Sequence, residues 1–224
     1  MAHPHLIFDC DGVLVDSEPL SMQIDVEILA ESGVVISEAE AHARFVGKTF
    51  AAMLDEMARE HGVRFPVDAS ARKDLRLLAL YERELQAVDG VRQALEALGP
   101  RQHSVASNSP AGRVETALRI VRLTPWFGNR ITTFEHVAAA KPAPDVFIAA
   151  ARRAGYAASN CIAIEDSVTG VTAAQRAGCH VLGFTGTSPH PREQAAKLLQ
   201  AGAARVFAHM AELPGLVEGF LHDA

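Results

Sequence analysis

The chain has 224 residues, 49% of them hydrophobic and 21% charged, and carries a net charge of -6. That length suits one large domain, or one domain with a smaller insert, and supplies ample apolar material for a core. The acidic balance excludes a broad electrostatic attraction to nucleic acid, so an anionic small molecule would need a local cationic pocket.

No run approaches the roughly 18 consecutive apolar residues of a membrane span. Residues 1–5 lack the basic and apolar stretches of a secretory signal. Three cysteines, Cys10, Cys161 and Cys179, have no paired spacing and fit free, buried thiols in a reducing cytoplasm.

Taken in chain order, the first element is an apolar strand at residues 5–8, of the type buried on both faces. It ends in the polar cluster Asp9-Cys10-Asp11-Gly12. From residue 17 to about 86 helical periodicity dominates, with Leu20, Ile24 and Ile28 on one stretch, Met53, Leu54 and Met57 on another, and Leu75, Leu78 and Leu85 on a third. Gly33, Gly47 and Gly62 punctuate these stretches. The pattern predicts four helices forming an inserted module.

Beyond Gly90 strands and helices alternate. A helix is expected at 91–98, a strand at 103–106, a helix to about 121 and a short strand at 130–133. A helix at 142–154, a strand at 161–164, a helix at 168–177 and a strand at 180–184 follow. A final strand–helix pair covers 205–221, and Pro189-His190-Pro191 reads as loop. Repeated β–α units argue for an α/β fold, a Rossmann-like parallel sheet with helices on both faces. The expected domains are a core of residues 1–16 and 88–224 and a helical cap of residues 17–87.

In such sheets ligands bind beyond the carboxyl ends of the strands. Polar clusters fall at four of those positions: Asp9 and Asp11, Ser107 and Asn108, Lys141, and Glu165 with Asp166. One acid at a strand end is commonly a helix cap; four clusters at matching ends can form one site. Asp9, Asp11, Glu165 and Asp166 would repel one another without a balancing cation. An all-oxygen set selects a hard ion, and Mg²⁺ is the expected cofactor. Asp9 then serves as nucleophile and Asp11 as general acid and base. Asp11, Gly12, Ser107, Asn108 and Lys141 would hold phosphoryl oxygens, with Lys141 also neutralising the nucleophile.

These residues, in this order, resemble the haloacid dehalogenase superfamily. The run from Phe8 to Glu18 is similar to its first motif, Ser107-Asn108 to the second, Lys141-Pro142 to the third, and Glu165-Asp166-Ser167 with Gly170 to the fourth. The resemblance covers essentially the whole chain. It implies a Rossmann-like core with a helical cap inserted after the first strand, as in the branch that contains beta-phosphoglucomutase-like and phosphoglycolate or 6-phosphogluconate phosphatase-like proteins. It also implies metal ligation by the carboxylates of Asp9 and Asp166 and the backbone carbonyl of Asp11, with Glu165 nearby or acting through water.

Within that superfamily, Asp11 argues against dehalogenation and phosphonate cleavage. Ser21 stands where a phosphosugar mutase has a proton-shuttling His, so a mutase of the beta-phosphoglucomutase type is the alternative of second rank. A non-hydrolytic phosphoacceptor or binding module is the alternative of another class, and the inserted helices and Asp11 argue against it. The expected partner is a small phosphate monoester, a sugar or sugar-acid phosphate, with neither nucleic acid nor membrane. The protein is expected as a monomer or weak homodimer. Lys48, Arg44, Lys73 and Arg76 are the candidate substrate-facing cations of the cap, whose expected hinges lie near residues 16–19 and 88–90.

Overall fold

The structure is a computed structural model that describes residues 4–45, 49–100 and 103–223. Its contacts divide the chain into two compact units, residues 1–16 with 86–224, and residues 17–85.

The first unit is built on six parallel strands: β1 (His5–Phe8), β2 (Ser104–Ser107), β3 (Ile131–Thr133), β4 (Cys161–Glu165), β5 (His180–Phe184) and β6 (Arg205–Phe207). Their spatial order is β3-β2-β1-β4-β5-β6. Strand order therefore reverses at β1, which pairs with β2 on one side and β4 on the other. That crevice is where an α/β sheet offers its binding site. The strands at the centre carry no exposed residue, which is why β1 and β4 read as continuous apolar runs.

The helices of the second unit are α1 (Glu18–Glu31), α2 (Glu38–Phe45), α3 (Phe50–His61) and α4 (Ala69–Glu84). Met22, Leu29, Val34, Ile36, Phe45, Met53 and Met57 bury their side chains in one cluster. Thr49 caps α3 by accepting the Ala52 N–H at 3.2 Å, and Gly62 ends it in the left-handed region. No described helix is long and apolar enough to cross a membrane.

The remaining helices belong to the sheet unit: α5 (Val91–Ala97), α6 (Ala111–Ile120), α7 (Thr124–Phe127), α8 (Asp145–Ala154), α9 (Val168–Ala177), α10 (Pro191–Ala201) and α11 (Leu213–Asp223). Val146, Phe147, Ala150 and Ala151 of α8 and Val171, Ala173 and Ala174 of α9 pack against Ile7, Ala106, Ala163 and Val181 of the sheet. Phe127 meets Phe8 edge-on with ring centroids 5.7 Å apart, closing the core beneath β1.

Three expectations need correction. The helix expected from residue 142 starts at Asp145, because a residue preceding proline disfavours helical backbone and Pro142 and Pro144 follow Lys141 and Ala143. The segment read as loop at 189–191 leads straight into α10, whose first residue is Pro191; proline is well tolerated there because that N–H has no helical partner. The second strand also begins one residue later than expected, at Ser104.

Candidate active site

Asp9 follows β1 directly, and its N–H donates to Ile164 O at 2.9 Å, tying it to the neighbouring strand. The chain then folds back on itself. Leu14 and Val15 both donate to Cys10 O, and Gly12 N–H donates to Val15 O at 2.9 Å. Gly12 has φ +77, and a Cβ there would lie 2.0 Å from Asp166 Oδ2. Glycine at 12 therefore satisfies both a left-handed turn and the close approach of an acid from the next strand.

Lys141 is buried, and its ammonium sits between two carboxylates. Nζ lies 2.7 Å from Asp9 Oδ1 and 2.5 Å from Glu165 Oε1, and it donates to Ala106 O at 2.7 Å. Three acceptors take the three N–H groups of the ammonium. Lys141 thus offers charge rather than a further N–H to a phosphoryl oxygen, which narrows the binding role expected for it. Its backbone is held by the Asn108 amide: Lys141 N–H donates to Oδ1 at 2.9 Å and Nδ2 donates to Lys141 O at 3.2 Å. The Asn108 side chain is therefore a brace for Lys141. The Lys141–Pro142 peptide is cis.

Glu165 is fully buried. Its second oxygen accepts from Ser167 Oγ at 3.2 Å, and Ser167 in turn caps α9 by accepting Gly170 N–H at 3.0 Å. Asp9, Glu165 and Asp166 form an acidic group whose candidate ligand oxygens all lie within 4.8 Å of one another. Burial drives the Asp9 carboxyl up from its ordinary range; Lys141 opposes that, and the charges of Glu165 and Asp11 add to it. Burial alone would depress the Lys141 ammonium, but Asp9 and Glu165 outweigh it and raise the net value.

Three carboxylates facing one ammonium leave two negative charges in excess. An all-oxygen set with that deficit fits a hard divalent cation, and Mg²⁺ suits it. Glu165 has both oxygens engaged by Lys141 and Ser167, which leaves Asp9 and Asp166 as the carboxylates better disposed to hold the ion.

The Asp11 carboxylate stands apart from this group. Its Oδ2 accepts from Ser109 Oγ at 2.6 Å, and Ser109 accepts from Arg113 at 3.0 Å. Ser107 Oγ accepts Ser109 N–H at 3.0 Å. Neither Ser109 nor Arg113 stands out in the sequence, although the triplet Ser107-Asn108-Ser109 at a strand end is the available signal. Two further residues brace the acidic loops from the segment after β5. Thr187 Oγ1 donates to Gly12 O at 2.9 Å, and Gln194 Nε2 donates to the Asp166 carbonyl.

Of the cations expected to face substrate, Lys48 lies outside the described residues. The other three already have acidic partners within their own unit. Arg44 pairs with Glu40, Glu56 and Glu60. Arg76 pairs with Glu31 at 2.5 Å, and Lys73 pairs with Asp25 at 2.6 Å while lying over the Phe50 ring.

The description "haloacid dehalogenase-like hydrolase" matches residues 4–178. The chain belongs to that family. It is 28% identical over 212 residues to 6-phosphogluconate phosphatase of Escherichia coli, covering 94% of this chain and 93% of that one. It is 31% identical over 180 residues to hexitol phosphatase B of the same organism, covering 76% and 78%. Among solved structures, a haloacid dehalogenase-like protein of Agrobacterium tumefaciens is 34% identical with a TM-score of 0.86, covering 98% of this chain and 100% of that one. A family hydrolase of Deinococcus radiodurans, solved with bound phosphate and sodium, is also 34% identical, with a TM-score of 0.79 and coverage of 98% and 97%. The family and its named relatives make this enzyme a phosphoric monoester hydrolase, and its parallel sheet with inserted helices is that family's fold.

Proposed function

We propose that the enzyme hydrolyses a small sugar or sugar-acid phosphate through an aspartyl-phosphate on Asp9, with Asp11 as general acid and base. The observation that carries this reading is the different treatment of the two aspartates. Asp9 is buried against the Lys141 ammonium and the acidic group, whereas the Asp11 side chain is held separately by Ser109.

In the first step an Asp9 oxygen bonds to phosphorus as the ester P–O bond breaks, and Asp11 gives its proton to the leaving oxygen. In the second, Asp11 takes a proton from water as the water oxygen bonds to phosphorus; the bond to Asp9 breaks and inorganic phosphate leaves. Lys141 neutralises Asp9 as it approaches the phosphate dianion. The Ser107 hydroxyl, anchored by accepting Ser109 N–H, would turn its own proton to a phosphoryl oxygen, helped by backbone N–H groups near Asn108 and Gly12. Asp9, Asp166 and the Asp11 carbonyl would hold Mg²⁺, which would balance the excess negative charge and polarise the phosphoryl group.

Residues 17–87 would act as the cap that excludes water during the transfer. The sugar-phosphate assignment rests on the named relatives. Arg44, Lys73 and Arg76 contribute little to it, because their internal carboxylates already balance them. Three free cysteines suit a reducing, cytoplasmic setting.

The test is phosphate release from a panel of sugar, hexitol and sugar-acid phosphates with Mg²⁺ and after its removal by EDTA. Activity should need the ion and vanish in Asp9→Asn. Full activity in that variant would end the aspartyl-phosphate reading, and turnover confined to phosphates without a polyol would end the substrate reading.

A further inference from the structure

Thr187 and Gln194 carry no charge, yet both reach the acidic loops from one stretch of chain. Thr187 Oγ1 donates to Gly12 O at 2.9 Å, and Gln194 Nε2 donates to Asp166 O. The two loops they hold already touch. Gly12 packs so closely on the Asp166 carboxylate that a Cβ at 12 would lie 2.0 Å from Asp166 Oδ2. The segment after β5 therefore grips both sides of the contact that sets where Asp166 stands relative to the loop after β1.

That segment is itself firmly seated. Its turn closes with Ser188 N–H donating to Thr185 O at 3.1 Å, and Thr185 is tied to β6 by its N–H and its hydroxyl, both donating to Phe207 O. Gly186 passes so near the chain beyond β6 that a Cβ there would lie 2.3 Å from Ala208 O. Gln194 lies near the start of α10, and Leu198, one turn further on, shares its face of the helix. Leu198 is fully buried in the core, where a Cβ on Gly183 of β5 would lie 3.0 Å from its Cδ1. The depth of that anchor fixes the reach of the Gln194 amide.

We propose that Thr187 and Gln194 are positioning residues that fix the spacing of Asp166 from Asp9 and so set the cation selectivity of the site. The inference rests on the reading of Asp9 and Asp166 as the carboxylates that hold Mg²⁺. Mg²⁺ demands a small, near-ideal octahedral shell, whereas Ca²⁺ accepts irregular and variable coordination. Carboxylates held at a fixed separation favour the smaller ion, and releasing either tie weakens that preference. Both residues act on backbone carbonyls of the acidic loops, and neither touches the ion.

The experiment is calorimetric titration of Mg²⁺, and separately of Ca²⁺, into the whole chain after treatment with EDTA, without substrate. Gln194→Met removes the donor at similar length. It should raise the Kd for Mg²⁺ about 10-fold, the loss typical of a residue that orients a ligand, and raise the ratio of the Mg²⁺ to the Ca²⁺ Kd about 3-fold. Thr187→Val keeps the shape of the side chain and should raise both quantities by about 2- to 3-fold. Thr187→Ser, which retains the hydroxyl, should restore both.

A Mg²⁺ Kd unchanged in Gln194→Met and Thr187→Val overturns the inference. So does a rise shared equally by the two cations, or larger for Ca²⁺, because a general loosening of the fold weakens both without favouring the larger. If the wild-type protein takes up no Mg²⁺, or if Asp166→Asn leaves its Kd unchanged, the reading of the metal site fails and this inference with it. Thr187→Val keeps the test standing if Gln194→Met does not fold.

Discussion

Gly170 offers the sharpest test of how the acidic group is held. It lies in the first turn of α9 with ordinary helical backbone, so alanine there meets no φ objection. On propensity alone, Gly170→Ala should stabilise the helix by about 1 kcal/mol. The site reverses that expectation. A Cβ at 170 would lie 2.0 Å from Glu165 Cδ and Oε1 and 2.1 Å from Oε2. Ordinary contact requires the carboxylate to retreat by roughly 1.5 Å. It cannot do so freely, because Lys141 and Ser167 hold its two oxygens in a fully buried setting. Each charged hydrogen bond weakened there costs about 1.5–3 kcal/mol, and loss of a buried pair about 3–5 kcal/mol. With the propensity gain subtracted, a net destabilisation of about 2–4 kcal/mol is expected, or a Tm lower by about 5–15 °C. Differential scanning calorimetry measures it. Adding Glu165→Asp, one methylene shorter, should recover at least half of the loss. A Tm that rises or stays constant in Gly170→Ala would refute the packing argument.

Two other predictions concern groups away from the chemistry. Burial, aided by the charge of Arg130, lowers the His5 imidazole to about 4 from its ordinary 6.5, next to Ser104 Oγ at 2.8 Å. Because the folded value is depressed, the neutral ring contributes stability that is fully present above pH 6.5 and is lost as pH falls toward 4; after allowance for solvent screening the loss by pH 5 is on the order of 1 kcal/mol. Urea melts at pH 7.5 and pH 5 should show a smaller decline in His5→Gln than in wild type, and equal declines would refute the assignment. The Lys73–Asp25 pair is nearly excluded from solvent on both sides. Lys73→Met alone should cost about 3 kcal/mol by removing the cation paired with a buried carboxylate, whereas Lys73→Met with Asp25→Leu should restore most of it. If the single variant loses substrate affinity at unchanged stability, Lys73 acts on substrate instead.

The elements most legible in the sequence are those whose ends carry their own punctuation. β1 stops at Asp9, and α9 starts after the capping Ser167 and stops at the left-handed Gly178, so their limits could be read directly. β5, bounded by Cys179 and Thr185, is equally clear because Val181, Leu182 and Phe184 are apolar and buried. Proline misled in both directions. Ahead of α8 the prolines precede the helix and at α10 Pro191 opens it, because position relative to N1 decides the effect of proline and the sequence leaves N1 open. At the site, strand-end acids are visible because topology brings strand ends together. The braces are not. Ser109 with Arg113, Thr187 and Gln194 act through side-chain directions, and the pairings of Arg44, Lys73 and Arg76 depend on which helices meet.

These braces answer a physical problem that the acids alone create. Asp9, Glu165 and Asp166 are close enough to repel, and one ammonium cannot balance three charges in a medium of low dielectric. Left flexible, the group would relax by rotating a carboxylate outward. The backbone segments that bear these charges are instead tied by residues from elsewhere: Asp9 to Ile164, Gly12 to Thr187, Asp166 to Gln194, and the cation Lys141 to Asn108. The two glycines complete the arrangement by removing the Cβ atoms that would fill the space of Asp166 and Glu165. The excess charge is therefore held in place rather than dissipated, which is the preorganisation a site needs to receive a divalent cation and a phosphate together. Asp11 Oδ2 is held in the same way from another element, accepting from Ser109 Oγ on the turn after β2.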